Sequence, residues 1–262
     1  MWPMHCKLPV SGKAISLLLP SGWEDVLLCE WRGEGSAMAH RLLGSITAKD
    51  AGQETFDWGD LPITDIEWAL LLLRRSLFGD FVTTSVVCKQ PECGAKIDVS
   101  FRIRDYLGQF QLDMPTGVEK AQEPGWFSLT EMGIKFRLPT GNDRHAVAHS
   151  SQPALELKRL CVLAEGIPEE WQERVEESLE AMAPVISGIL SGECPECGLA
   201  GEFYFDVQSY VLQELIDQAK FVFEDVHLIA SRYQWSEDAI LNLPRQRRYR
   251  YVESIIRDRS VD

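Results

Sequence analysis

The sequence has little positive charge, no long apolar run and no nucleotide-binding or hydrolase motif. Its 262 residues carry 26 Lys and Arg against 40 Asp and Glu, a formal net charge of −14. Phosphate recognition needs clustered cations, so free nucleic acid is a disfavoured partner for the chain as a whole. Pro3, His5, Lys7 and Pro9 interrupt the start, and no secretory apolar segment is read there. The longest apolar run of note, Trp68 to Leu73, is far too short to span a bilayer. An intracellular soluble protein without a membrane span is expected.

Catalytic signatures are missing as well. Gly12-Lys13 lacks the upstream glycine and the following Ser or Thr of a phosphate-binding loop. No Gly-x-Ser-x-Gly elbow occurs. His145 and His149 share a helical spacing, but position 146 is Ala, which breaks the metalloprotease pattern. His5, His40 and His227 are scattered and take no role. Carboxylates sit in charge runs, such as the seven Glu between Glu165 and Glu180, and not isolated in apolar surroundings. Nothing marks a general acid and base, and no enzyme is expected.

What the chain does have is an ordinary globular composition, 45% hydrophobic and 25% charged. The region 1–60 reads as β-rich, with strands over Lys13 to Leu19 and Glu24 to Trp31 and a helix as the alternative for part of Ala37 to Leu43. Pro62 opens a helix that Gly79 ends, with Thr64 and Glu67 spaced as a capping box. Strands are expected over Phe81 to Cys88 and Ala95 to Ile103, and a hairpin over Trp126 to Leu138 with Met132-Gly133 near its turn. Thr140 to Asp143 supplies caps for a helix through His149, and Pro153 begins another. Pro168 to Leu190 reads as an amphipathic helix that Pro184 kinks or splits. A short strand follows at Glu202 to Phe205. Val207 to Tyr233 repeats apolar residues every three or four positions and reads as one long helix. Ser236 caps a short helix and Pro244 starts the last one.

Seven cysteines are present, of which Cys6, Cys29 and Cys161 stand alone. The other four form Cys88-Lys-Gln-Pro-Glu-Cys93-Gly94 and Cys194-Pro-Glu-Cys197-Gly198, both ending in Pro-Glu-Cys-Gly. Such spacings let one tight turn present two thiolates to one ion, and zinc takes four in a tetrahedron. The long separation of the pairs is not prohibitive. Lengthening a loop from 20 to 100 residues costs roughly 1.4 kcal/mol, against about 10–16 kcal/mol for structural zinc. Competing readings are a redox dithiol at Cys194–Cys197, ordinary reduced thiols, and a catalytic zinc. Turn and strand after Cys197 disfavour the first, since redox pairs open a helix. Four thiolates close the shell and disfavour the last. One structural Zn2+ per chain is expected on Cys88, Cys93, Cys194 and Cys197.

The segment Arg245 to Arg259 holds six Arg against Glu253 and Asp258, a local charge of +4 that leaves −18 on the remainder. Arg245, Arg247, Arg248 and Arg250 interleave with Tyr249 and Tyr251. The segment can dock onto a partner or fold back onto the acidic body. A zinc-ribbon nucleic-acid binder using this cluster is the alternative reading.

The stretch from Phe223 to Glu253 resembles the end of the T4-type phage baseplate family, which includes baseplate hub assembly proteins of contractile tails and phage-like contractile injection systems. The residues that carry the likeness are Trp235, Ser236, Glu237, Ile240, Leu241, Leu243, Arg247, Arg248 and Tyr251 or Tyr249. It is specific over about 194–257, loose over 62–140 and absent before 60. It brings no catalytic residue with it. It implies a structural or chaperone-like assembly component that binds baseplate or hub proteins, in the bacterial host cytoplasm during assembly and then in the tail particle or released from it. Trp235, Arg245, Arg247, Arg248, Tyr249, Arg250 and Tyr251 are the expected contact residues. The expected fold is α+β: a β-rich region 1–60, a zinc-ribbon-like core 61–206 with a helical insertion over about 140–192, and a helical C-terminal arm 207–262.

Overall fold

A computed structural model describes residues 3–48, 56–131, 133–163 and 169–259. The chain opens with strands β1 (Met4–Lys7) and β2 (Ala14–Leu17), which pair with each other. Helices α1 (Gly22–Glu30) and α2 (Gly35–Ile46) follow. The strand expected over Glu24 to Trp31 is therefore a helix, for a local reason. The Ser21 amide donates to Glu24 Oε2 at 2.7 Å while the Ser21 hydroxyl caps the first turn, forming a capping box. Gly22 is required there: a Cβ would lie 2.7 Å from Arg248 Nη1 and 2.8 Å from Leu241.

Helix α3 (Ile63–Phe78) begins after Pro62 and ends at Gly79, whose φ of +92° suits glycine. Ile66, Leu70, Leu71 and Leu73 on it are at most 2% exposed, each contributing roughly 1.5–3 kcal/mol by burial. The expected capping box of Thr64 and Glu67 does not form. Both side chains turn inward, and Thr64 donates to the Pro184 carbonyl at 3.0 Å. Strands β3 (Phe81–Val87) and β4 (Lys96–Arg102) form an antiparallel hairpin, followed by the short helix α4 (Ile103–Leu107).

Strands β5 (Val118–Lys120), β6 (Trp126–Leu129) and β7 (Ile134–Arg137) continue the chain; Met132, named above beside the hairpin turn, lies outside the described residues. Helices α5 (Gly141–Val147) and α6 (Pro153–Cys161) precede the two-residue strand β8 (Val162–Leu163), and β5-β6-β7-β8 make one antiparallel sheet. Thr140 and Asp143 form a capping box at α5. Helix α7 (Glu169–Met182) packs Val175 and Met182 with Val118, Leu129, Ile134 and Phe136 of that sheet. Pro168 lies outside the described residues. The amphipathic helix stops before Pro184, and strand β9 (Gly188–Glu193) occupies what read as its last turn. Strand β10 (Ala200–Phe205) pairs with β9.

The long helix expected over 207–233 is two: α8 (Val207–Ala219) and α9 (Val222–Tyr233), broken at Lys220-Phe221. Helices α10 (Glu237–Leu241) and α11 (Arg245–Arg259) complete the chain. Between α9 and α10, Gln234 is left-handed at φ 58° and caps α9. The fold is α+β, as expected. No helix among the described residues is long and apolar enough to cross a membrane.

The chain divides into two compact units. One comprises Met1–Cys6, Ala14–Phe56 and Ser209–Asp262; the other comprises Lys7–Lys13 and Asp57–Gln208. The first has Ile229, Ile240, Val252 and Ile255 as a core cluster. The second contains both cysteine hairpins.

Candidate metal centre

Each cysteine pair sits in the turn of a two-stranded hairpin. In the first, the Cys88 amide donates to the Ala95 carbonyl at 2.8 Å, and the Cys93 and Gly94 amides return to the Gln90 carbonyl at 3.0 and 3.3 Å. In the second, the Cys194 amide donates to Leu199 at 2.9 Å and the Gly198 amide to Cys194 at 2.8 Å. Gly94 and Gly198 hold φ of +56° and +69°, the left-handed geometry these turns need. The shared Pro-Glu-Cys-Gly sequence thus encodes the same backbone turn twice.

The hairpins place four sulfurs within 4.8 Å of one another. Cys88 Sγ lies 3.9 Å from Cys197 Sγ, and Cys93 Sγ lies 3.8 Å from Cys194 Sγ. A disulfide would need about 2.05 Å. A tetrahedron with metal–sulfur bonds of about 2.3 Å has edges of about 3.8 Å. The cluster therefore has the dimensions of a four-thiolate metal site and can hold a metal ion. Cys88 and Cys194 are buried, Cys93 is half-buried and Cys197 is exposed.

Electrostatics fit that use. The Cys197 and Glu196 amides favour the Cys194 thiolate and lower it to about 7. The Ala95 amide likewise favours the Cys93 thiolate, but burial and the neighbouring thiols outweigh it and push that sulfur up to about 12. Cys88 is raised too, against the pull of the Gln90 amide. Sulfurs this close do not all ionise without a cation among them.

What brings pairs so distant in sequence together lies at the base of the hairpins. Glu67 of α3 is fully buried. It accepts from the Ser187 amide at 3.0 Å, the Ser187 hydroxyl at 2.8 Å and Arg144 Nη2 at 2.5 Å. Ser187 in turn accepts from the Val207 amide at 3.0 Å. Tyr106 of α4 donates to the Ile186 carbonyl at 2.5 Å. Phe101 of β4 and Phe205 of β10 meet edge to face at 5.2 Å, and Tyr106 lies 5.7 Å from Phe205. An aromatic and carboxylate latch thus fixes the hairpin bases, and the cysteines meet at the tips. The spacing of Thr64 and Glu67 suggests a helix cap, but Glu67 stands between Ile66 and Trp68 in an apolar stretch, the one local sign of burial.

The C-terminal residues divide. Arg248 is 1% exposed and lies on both Asp225 (Nε to Oδ2, 2.9 Å) and Asp25, which also receives Arg245. Asp25 is fully buried. Burial raises Asp225 against the pull of Arg248. These two arginines hold α1, α9 and α11 together. Arg247, Tyr249 and Arg250 are exposed on α11. Trp235, 37% exposed, packs at 5.1 Å against Tyr251 and 5.5 Å against Tyr233.

Among known protein families, the one described as T4 bacteriophage base plate protein matches residues 4–157. No curated protein and no solved structure matches the chain. The matched region runs from β1 into α6 and includes the first cysteine pair, not the second. The family is the one the resemblance indicated, although the match covers residues where the likeness was loose (62–140) or not read (before 60) and not 194–257, where it was specific. With more than half its length matched, the chain belongs to the T4 bacteriophage base plate protein family.

Proposed function

We propose that the chain is a non-enzymatic structural or assembly component of a contractile-tail baseplate or hub, stabilised by one structural zinc. Family membership is the observation that carries the role. The sulfur spacing supports the metal: Cys88, Cys93, Cys194 and Cys197 are the ligands, and thiolate softness with a closed tetrahedron selects zinc. Zinc, when bound, supplies cross-linking and no chemistry. The four cysteines orient the hairpins, and the turn amides stabilise the sulfur charge.

The chain binds other tail proteins through the outer side of its C-terminal helices. Trp235, Arg247, Tyr249, Arg250 and Tyr251 are contact residues, of the aromatic and arginine type that dominates interface energetics. Arg245 and Arg248 act from inside, by fixing α11. The protein assembles in the host cytoplasm with its partners and enters the tail particle. Co-expression with the other tail proteins and affinity capture tests this reading. The wild type is expected to retain baseplate or hub proteins, and Trp235→Ala with Arg250→Glu is expected to lose them while melting normally. Retention by that variant would remove the assigned contact face. Zinc well below one per chain in the purified protein would remove the metal.

A further inference from the structure

The β3–β4 hairpin has two free edges of different character. Hydrogen bonds in an antiparallel pair alternate, and the Cys88 amide donating to Ala95 fixes the phase. Val82, Thr84 and Val86 therefore bond to β4, while the amides and carbonyls of Thr83, Ser85 and Val87 face away from it. Among the described residues, no strand pairs with that edge. Its residues are exposed, Val87 to 60%. The opposite edge, on β4, carries Lys96, Asp98 and Arg102, and the outward residues of β9 and β10 include Glu193 and Glu202. Charged residues on an edge block strand addition. The seven residues of β3, Phe-Val-Thr-Thr-Ser-Val-Val, contain none.

We propose that β3 is a dimerisation edge: a second copy of this chain pairs its own β3 antiparallel to it, about a two-fold axis through Ser85. The register follows from the free groups. The Phe81 carbonyl already accepts from Arg74 Nη1 at 2.5 Å, which leaves Thr83, Ser85 and Val87. Pairing about Ser85 sets Thr83 opposite Val87 of the other copy and Ser85 opposite itself. All edge groups then meet edge groups, giving about six backbone hydrogen bonds. The side chains that meet are β-branched or hydroxyl-bearing, which suits cross-strand pairs, and no like charges face each other. The strand is held in place for this: Ser85 donates to Asp98 at 2.6 Å across the hairpin, and the cysteine turn anchors its end. A four-stranded sheet, β4-β3-β3-β4, results. One edge is a small interface, so the dimer is of the weak, concentration-dependent class. The inference stands on the edge alone and not on the baseplate reading.

Sedimentation of the full metal-loaded chain over a concentration series tests it. The expected result is a twofold rise in mass with concentration. Ser85→Pro removes an amide that makes no bond within the hairpin, and Pro is tolerated on edge strands. That variant is expected to stay monomeric with unchanged metal content. Ser85→Lys, which sets two cations face to face on the axis, gives the same result should the proline disturb the hairpin. Ser85→Cys meets its own copy and is expected to yield a disulfide-linked dimer on mild oxidation. A wild type that is monomeric at the highest soluble concentration overturns the proposal. So does a dimer that survives both Ser85→Pro and Ser85→Lys.

Discussion

The cysteine cluster and the Asp25–Arg248 cluster each join segments far apart in sequence, 109 residues for Cys88 and Cys197 and 223 for Asp25 and Arg248. They use opposite materials. The cysteine hairpins alternate exposed and half-buried residues and have almost no core along their length. Two-stranded hairpins of that kind are marginal in water, so cross-linking must come from elsewhere. Helices α1, α9, α10 and α11 bury Leu28, Ile229, Ile240, Val252 and Ile255. There the hydrophobic term already holds the segments, and the ion cluster selects how they pack. A buried ion pair adds little net stability but makes the loss of one partner costly. The lesson is that distant closure needs a strong bond only where burial is missing.

Removing a metal ligand breaks the comparison most sharply. Cys194→Ser, or chelation at neutral pH, is expected to take metal from one ion per chain to near zero. A site of this class contributes on the order of 10 kcal/mol when loaded. Elemental analysis together with amide exchange of β3, β4, β9 and β10 measures this, and the core amides of α3 should stay protected. Asp25→Asn comes next. It strands Arg245 and Arg248 without an anion and is expected to cost about 3–5 kcal/mol in denaturant unfolding while metal content holds.

Glu67→Gln follows, with an expected loss of about 1.5–3 kcal/mol as a charged acceptor of three hydrogen bonds becomes neutral. Because Glu67 fixes the base of β9, metal affinity should fall with it, whereas Asp25→Asn should leave affinity alone. A competitive chelator titration distinguishes the two. The smallest effect concerns Asp143. Burial would raise it, but paired hydrogen bonds from Arg137 and the Thr140 amide hold its carboxyl below the usual range. A folded value below the unfolded one means its contribution is complete above the ordinary carboxylate pKa. It is lost as pH falls through the folded value. Asp143→Asn is expected to cost about 1–2 kcal/mol at pH 7 and to flatten the acid limb of the stability profile.

The cysteine turns were legible because their signal is local: two cysteines, a proline and a glycine within seven residues fix each knuckle. Helix α3 was legible from its leucine spacing, since nothing competes with burial there. Helix α1 was not, because Val26-Leu27-Leu28-Cys29 is a short continuous apolar run that reads equally well as a strand, while the decisive Ser21–Glu24 cap occupies two residues. The break at Lys220-Phe221 carries neither Gly nor Pro, and apolar periodicity passes through it. The roles of Glu67, Asp25 and Arg248 depend on partners 23 to 223 residues away, and spacing rules reach only one turn of helix or one strand pair. For that reason the sequence left open whether the Arg cluster docks on a partner or folds back onto the acidic body; Arg245 and Arg248 fold back.

The order of the two knuckles along the chain has a consequence in time. Translation at about 5–20 residues per second delivers Cys194 roughly 5–20 s after Cys88. For that interval the first turn can offer a metal only two sulfurs. Cys88 and Cys93 therefore pass through synthesis as an open dithiol, and the full set of four sulfurs exists only once the second hairpin emerges. The thiols are thus most open to oxidation during synthesis, before the four can close on one another, and oxidising conditions at that stage are expected to lower the yield of folded chain.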